Sequence, residues 1–183
     1  MNKRSITLSA IIVLAALSRL LPHVPNVTPI AAMALFGGVY LRDLKVAFLV
    51  PIAAMIFSDL VLGLTVYGTA VLLKSQPVVY LCILMTVAIG RLIRDKAFVL
   101  RIALAIFASA VMFYLVTNFA VWAFDGLYPK TWRGLITCYT AAIPFFRNSF
   151  IGDLAFAAAL FGGFSALERS FISLREREEP QLA

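Results

Sequence analysis

The chain of 183 residues is 62% hydrophobic and only 14% charged, with a mean hydropathy of +0.96. Soluble domains are roughly 45–50% apolar and about 25% charged, so this composition excludes an ordinary soluble enzyme, a disordered regulator and a disulfide scaffold. The net charge of +7 is spread over predicted helix ends and indicates membrane orientation rather than nucleic-acid binding.

Six apolar segments predict the membrane spans, since a helix of roughly 20 residues crosses the bilayer core. Arg19 and Pro22 stand where a signal-peptide cleavage site needs small residues, so the first segment is interpreted as a retained span. Between the last two segments, residues 125–148 predict an outer loop rich in aromatic and polar side chains, and residues 66–73 are too short to cross. The six segments are 5–21, 29–41, 46–64, 78–93, 102–124 and 149–167.

The fold class is therefore all-α, a polytopic membrane protein of about six transmembrane helices. Residues 1–168 form a single transmembrane domain, and residues 169–183 form a charged cytoplasmic tail. With the chain threaded through six spans, eleven of the 16 Lys and Arg residues fall on the side that holds both termini. Cytoplasmic loops carry the excess of Lys and Arg, so we expect both termini in the cytoplasm of a bacterial inner membrane.

Four ionisable residues fall within the predicted spans or at their edges: Arg19, Asp59, Arg147 and Asp153. A charge near the bilayer centre costs about 2.5–3.5 kcal/mol, so each needs a partner or a water-filled cavity. The topology puts all four near the outer ends of their spans. They predict either two structural ion pairs that pin helices 1, 3 and 6, or the rim and floor of an outward-facing polar cavity.

The outer loops hold most of the other polar and aromatic side chains. Pockets with apolar walls and a few convergent polar groups have this composition, although Trp and Tyr at this depth also form interfacial belts. A single histidine gives little material for a metal cluster or a catalytic triad. The candidate substrate-binding residues are Arg19, His23, Asn26, Asp59, Tyr67, Asn118, Trp122, Tyr139, Arg147 and Asp153.

Several strings of the sequence resemble a family of bacterial membrane proteins that is in turn similar to the substrate-binding S components of energy-coupling factor vitamin transporters. The similarity extends to a solitary type of S component implicated in cobalamin uptake. The strings are SRLLPH at 18–23, PNVTPIAAMALFGG at 25–38, SDL at 58–60, TNFAVW at 117–122, IPFFRN at 143–148 and GDL at 152–154.

This resemblance implies a six-helix bundle that binds a vitamin-like small molecule from the outer side, under the loops after helices 1, 3 and 5. It also implies that Cys82 is the candidate cobalt ligand if cobalamin binds. Ala10, Ala15 and Ala16 lack the Ala-x-x-x-Ala spacing with which S components dock on an energising ATPase module, so a solitary carrier is favoured. The residues themselves predict no cofactor and no metal site of the protein's own, since two cysteines make neither a zinc site nor a disulfide framework.

Transport of a small molecule is the first functional hypothesis, and a scaffold subunit without a ligand is the alternative. An intramembrane diaspartyl protease is disfavoured because Ser58 precedes Asp59 and Phe150 replaces the first glycine of Gly-x-Gly-Asp. No filter-like repeat indicates a channel, and no phosphate-binding glycine-rich loop indicates ATP hydrolysis. The chain is thus predicted not to be an enzyme, and its partners are the lipid bilayer and a small-molecule substrate.

Overall fold

The computed structural model describes residues 3–22 and 24–175, except the side chains of residues 67, 69–75 and 96. This part of the chain is helical and has no strand, which confirms the predicted fold class. Its α-helices, in chain order, are α1 (Lys3–Leu17), α2 (Ile30–Tyr40), α3 (Leu44–Leu62), α4 (Thr69–Ile93), α5 (Val99–Phe124), α6 (Trp132–Ala157) and α7 (Gly163–Ser170).

Helix α2 lies at the centre of the bundle and packs against α1, α3, α4, α5 and α6. Every residue from 31 to 39 is buried. A helix that is apolar all round is a buried helix, and the run IAAMALFGGV has this character. At 1.5 Å per residue its eleven residues reach about 16 Å, roughly half of the 30 Å hydrocarbon core. The second predicted span is therefore a buried half-length helix.

Close backbone contact between α2 and α4 depends on glycine at the point where they cross. A Cβ atom on Gly90 would lie 2.6 Å from the carbonyl oxygen of Leu35 and 3.0 Å from the Cα atom of Gly38. Small residues allow helix backbones to approach in this way within a membrane. Gly38 and Gly90 therefore allow α2 to pack closely against α4.

Opposite charges lie at the two ends of α2. The backbone N–H of Ala31, in its first turn, donates to Asp153 Oδ1 at 3.2 Å. At the other end, Arg91 donates to the carbonyl of Leu41 at 2.7 Å and Arg94 donates to the same oxygen at 3.3 Å. An anion at the N-terminus and cations at the C-terminus both stabilise the helix dipole.

The prediction of an outer loop at 125–148 is wrong for most of that segment, which is helical. Helix α6 begins at Trp132, and a π-helical turn at Ala158–Gly162 joins it to α7, which makes one helical run of 39 residues from Trp132 to Ser170. Thr131 caps its start by accepting from the Gly134 N–H at 3.2 Å. Pro144 removes one backbone hydrogen bond without ending the helix, which packs against α5.

A second correction concerns the segment before the fourth span. The sequence predicts that the short apolar piece at 66–73 is separate from the fourth span at 78–93, whereas α4 runs unbroken from Thr69 to Ile93 with Pro77 inside it. Four helical segments are long and apolar enough to span a membrane in the described chain: Leu44–Val66, Gln76–Ile93, Val99–Phe124 and Trp132–Ser170.

The two ends of the described chain meet at the end of the bundle that holds the α2 C-terminus. Arg4 forms an ion pair with Glu168 at 3.0 Å and donates to the Leu174 carbonyl at 3.2 Å. Its guanidinium also lies over the rings of Tyr40 and Phe164. The first residues of the predicted tail therefore pack against α1, and residues 176–183 lie outside the described residues.

Candidate binding cavity

A half-open cavity of about 360 Å³ lies at the N-terminal end of α2 and is lined by the preceding loop, α5 and α6. Ligand pockets for drug-sized molecules measure roughly 300–1,000 Å³, so the volume of this one is sufficient for a small molecule. The described residues that line it are Asn26, Thr28, Ile30, Ala31, Ala110, Phe113, Tyr114, Thr117, Asn118, Ala142, Phe145, Phe146, Ser149 and Asp153.

One polar face of α5 forms the first wall of the cavity. Tyr114, Thr117 and Asn118 lie at positions i, i+3 and i+4, which share a helix face. The Tyr114 hydroxyl donates to the Tyr139 carbonyl at 2.6 Å, and Asn118 Nδ2 donates one of its two hydrogens to the Tyr114 carbonyl at 2.8 Å. Asn118 Oδ1 accepts no hydrogen bond within the described part of the chain, so this wall offers an acceptor to a ligand.

The carboxylate of Asp153 forms part of the opposite wall. Asp153 is 6% exposed, and its Oδ1 accepts from the Ala31 N–H in the first turn of α2. Ser149 lies one turn earlier on the same face of α6 and also lines the cavity. A Cβ atom on Gly152 would lie 3.0 Å from Val27 Cα, so glycine there lets the loop before α2 approach Asp153.

Aromatic rings complete the lining. Phe113 comes from α5, and Phe145 and Phe146 come from α6. The rings of Tyr114 and Phe146 are tilted against each other with centroids 5.1 Å apart. The cavity thus combines apolar walls with a carboxylate, an amide and several hydroxyls, which is the composition of a small-molecule site.

Three of the predicted site residues meet at this cavity: Asn26 from the loop, Asn118 from α5 and Asp153 from α6. They lie far apart in sequence and come together because α6 passes the N-terminus of α2 and packs along α5.

Arg19 and Asp59 form a separate buried cluster. Arg19 Nη1 lies 2.8 Å from Asp59 Oδ1, and the two side chains are 10% and 3% exposed. The same nitrogen donates to Ser58 Oγ, and the Tyr80 hydroxyl donates to Asp59 Oδ2 at 3.0 Å. This cluster joins the end of α1 to α3 and α4 and contributes no residue to the cavity lining.

Only one of the two expected ion pairs is therefore present in the described chain. Arg147 is exposed, and Asp153 binds the backbone of α2. The two residues are six positions apart on one helix, so at about 100° per residue they point in widely different directions.

Trp122 and Tyr139 lie beside the cavity, where they brace the α5–α6 hairpin. Trp122 Nε1 donates to the Pro129 carbonyl at 2.9 Å, and the Tyr139 hydroxyl donates to the Leu115 carbonyl at 2.7 Å. His23 and the side chain of Tyr67 lie outside the described residues. Cys82 is fully buried on α4 and is absent from the lining.

Sequence reasoning missed several lining residues, among them Thr28, Tyr114, Thr117 and Ser149. A helical-face signal would have found most of them. Tyr114, Thr117 and Asn118 are polar residues on one face of an otherwise apolar span, and Ser149 precedes Asp153 by one turn.

Apolar helices of spanning length, a buried half-length helix and polar side chains turned inward define a helical membrane protein. The chain belongs to the family described as "Family of unknown function (DUF6580)", whose model matches residues 1–179. Comparison with curated proteins and with solved structures gave no match.

Proposed function

We propose that the protein binds a small molecule in the cavity at the N-terminal end of α2 and carries it across the membrane. The cavity itself is the observation on which this proposal rests. Burying polar side chains within a bilayer costs free energy, so polar groups that converge on a cavity inside a membrane protein indicate a site. The resemblance to S components supports the same function.

The half-length helix strengthens the proposal. Transporters commonly place their substrate near the middle of the membrane, at the ends of helices that stop within it. Helix α2 is too short to cross the hydrocarbon core, and the cavity lies at its N-terminal end. A merely structural short helix would need no open volume at its end.

The size of the cavity favours a ligand smaller than a corrinoid. A volume of about 360 Å³ lies at the lower end of the roughly 300–1,000 Å³ typical of drug-sized ligands. Cys82, the candidate cobalt ligand, lies in the core beside Ile83 and Val87 with no exposed surface. We therefore propose a compact vitamin-like or metabolite-like molecule.

Release toward the other side requires movement, because aromatic rings fill the bundle beyond the cavity. Phe36 packs edge-on against Phe161 at 5.3 Å, and Tyr40 packs against Phe164 at 4.8 Å. These rings lie at the C-terminal half of α2. We propose that the α5–α6 hairpin tilts against the other helices to open this path, driven by a partner or an ion gradient.

Depletion of small molecules from growth medium tests the proposal while the ligand is still unidentified. Cells that produce the parent protein are compared with cells that produce Ala142→Leu, which fills the cavity. Ala141→Leu is the matched control, since Ala141 is exposed on the same turn. We expect at least one compound to be depleted by the parent and by Ala141→Leu but not by Ala142→Leu. Identical depletion in all cultures, including cells without the protein, would favour a scaffold subunit.

A further inference from the structure

We infer that the ligand of this cavity is an organic cation, with its ammonium group beside Asp153 and an apolar body among the phenylalanine rings. This inference rests on the proposed function and adds a substrate class to it. It is argued from the carboxyl group and the aromatic residues that line the cavity.

Asp153 faces the cavity without a cationic side chain among the described lining residues. The lining contains neither Lys nor Arg, the guanidinium of Arg19 is paired with Asp59, and Arg147 is exposed outside it. A buried carboxylate in a membrane protein needs either a compensating partner or water in a cavity. A cationic ligand supplies the charge that the described side chains do not.

The N-terminus of α2 compensates Asp153 only in part. A helix N-terminus is equivalent to about half a positive charge, whereas an ionised carboxylate carries a full negative one. An empty helix N-terminus would attract an anion, but here Asp153 already occupies that place through the Ala31 N–H. The electrostatic potential beside Asp153 therefore disfavours anionic ligands and favours cations.

The aromatic walls suit an organic cation rather than a metal ion. Cations bind over the faces of aromatic rings, and Phe113, Phe145, Phe146 and Tyr114 line this cavity. Metal ions such as Ca²⁺ need about six to eight oxygen ligands, whereas Asp153 is the one carboxylate in the described lining. Asn118 Oδ1 and Ser149 Oγ supply acceptors for the N–H groups of an ammonium ion.

Calorimetric titration of the purified full chain with three phenyl compounds of similar size and different charge tests the inference. The probes are phenethylammonium, phenethyl alcohol and phenylacetate. We expect phenethylammonium to bind about tenfold more tightly than the alcohol, the range expected for a charge-assisted hydrogen bond, and phenylacetate to bind most weakly.

Asp153→Asn removes the charge and keeps an oxygen that accepts from the Ala31 N–H, so the helix cap survives. It should weaken phenethylammonium about tenfold and leave the alcohol unchanged. Asp95→Asn, which changes an exposed carboxylate at the other end of the bundle, should alter neither. If Asp153→Asn does not fold, Asn118→Asp adds a carboxylate to the cavity and should strengthen phenethylammonium binding.

Equal affinity for all three probes, or an Asp153→Asn variant that still prefers the cation, would overturn the inference and leave the cavity as a binding site. The inference also fails if none of the probes binds while the parent depletes a compound from medium. Absence of both probe binding and depletion would overturn the proposed function itself.

Discussion

Asp59 and Asp153 are both buried carboxylates in the same bundle, yet their surroundings differ. Asp59 is surrounded by partners: Arg19 in an ion pair at 2.8 Å and the Tyr80 hydroxyl at 3.0 Å. Asp153 accepts from the backbone of α2 and faces a cavity of about 360 Å³. The first arrangement holds helices together, whereas the second leaves a carboxyl group facing open volume.

The difference shows that an ionisable residue within a membrane protein must be interpreted through its partners. Breaking a buried ion pair leaves an uncompensated charge, so such pairs mark positions where the fold is vulnerable. A carboxylate that faces a cavity instead retains the capacity to bind something else. Substitutions at the two aspartates and at the contact between α2 and α4 test this contrast.

The largest expected effect is that of Asp59→Ala, which leaves the Arg19 guanidinium buried and unpaired. Removal of one partner of a buried pair costs about 3–5 kcal/mol. We expect a large loss of folded protein and a lower midpoint of thermal unfolding in detergent. The double variant Arg19→Met with Asp59→Leu should recover part of the loss, and Arg147→Ala, at an exposed site, should change little.

If the Asp59→Ala variant has the same thermal unfolding midpoint as the parent, Arg19 and Asp59 are solvated and the cluster contributes nothing to stability. This result would contradict the structural role that we assign to Asp59.

Gly90→Ala should have an intermediate effect because its Cβ would lie 2.6 Å from the Leu35 carbonyl oxygen. Helix α2 must shift away from α4, and overpacking of this kind costs about 1–3 kcal/mol. Since the first turn of α2 lines the cavity, ligand binding should weaken as well. Gly162→Ala is the control, because a Cβ there meets nothing within 4 Å. Equal unfolding midpoints for both variants would contradict the close approach of α2 and α4.

Asp153→Asn should have the smallest effect on stability, about 0.5 kcal/mol or less, because the amide oxygen still accepts from the Ala31 N–H. Its thermal unfolding midpoint should lie close to that of the parent and far above that of Asp59→Ala. A loss as large as that of Asp59→Ala would mean that Asp153 is a structural residue like Asp59.

The sequence was sufficient to predict the helical membrane fold, because apolar composition and segment length are local properties. Asn118 and Asp153 could be named as candidates because polar residues in apolar spans are conspicuous, and Asn26 because it lies in a predicted outer loop. The extent of α6 was mispredicted because Pro144 and the polar residues around it are typical of a loop in isolation. Packing along α5 makes that segment helical, and such packing is not visible in a linear sequence.

The partners of the four ionisable residues depend on three-dimensional placement in the same way. Charge balance alone is compatible with two ion pairs, yet Arg147 and Asp153 point in different directions on α6. That Asp153 caps α2 follows from the position of a helix more than a hundred residues earlier in the chain, which no local pattern encodes.

Mass spectrometry of small molecules that co-purify with the protein tests the central claim most directly, namely that the cavity at the α2 N-terminus holds the ligand. The parent, Ala142→Leu and Ala141→Leu are purified in parallel from cells grown in rich medium. We expect a compound that is retained by the parent and by Ala141→Leu and is missing from Ala142→Leu. The same compounds in the same amounts from all three proteins would contradict the claim.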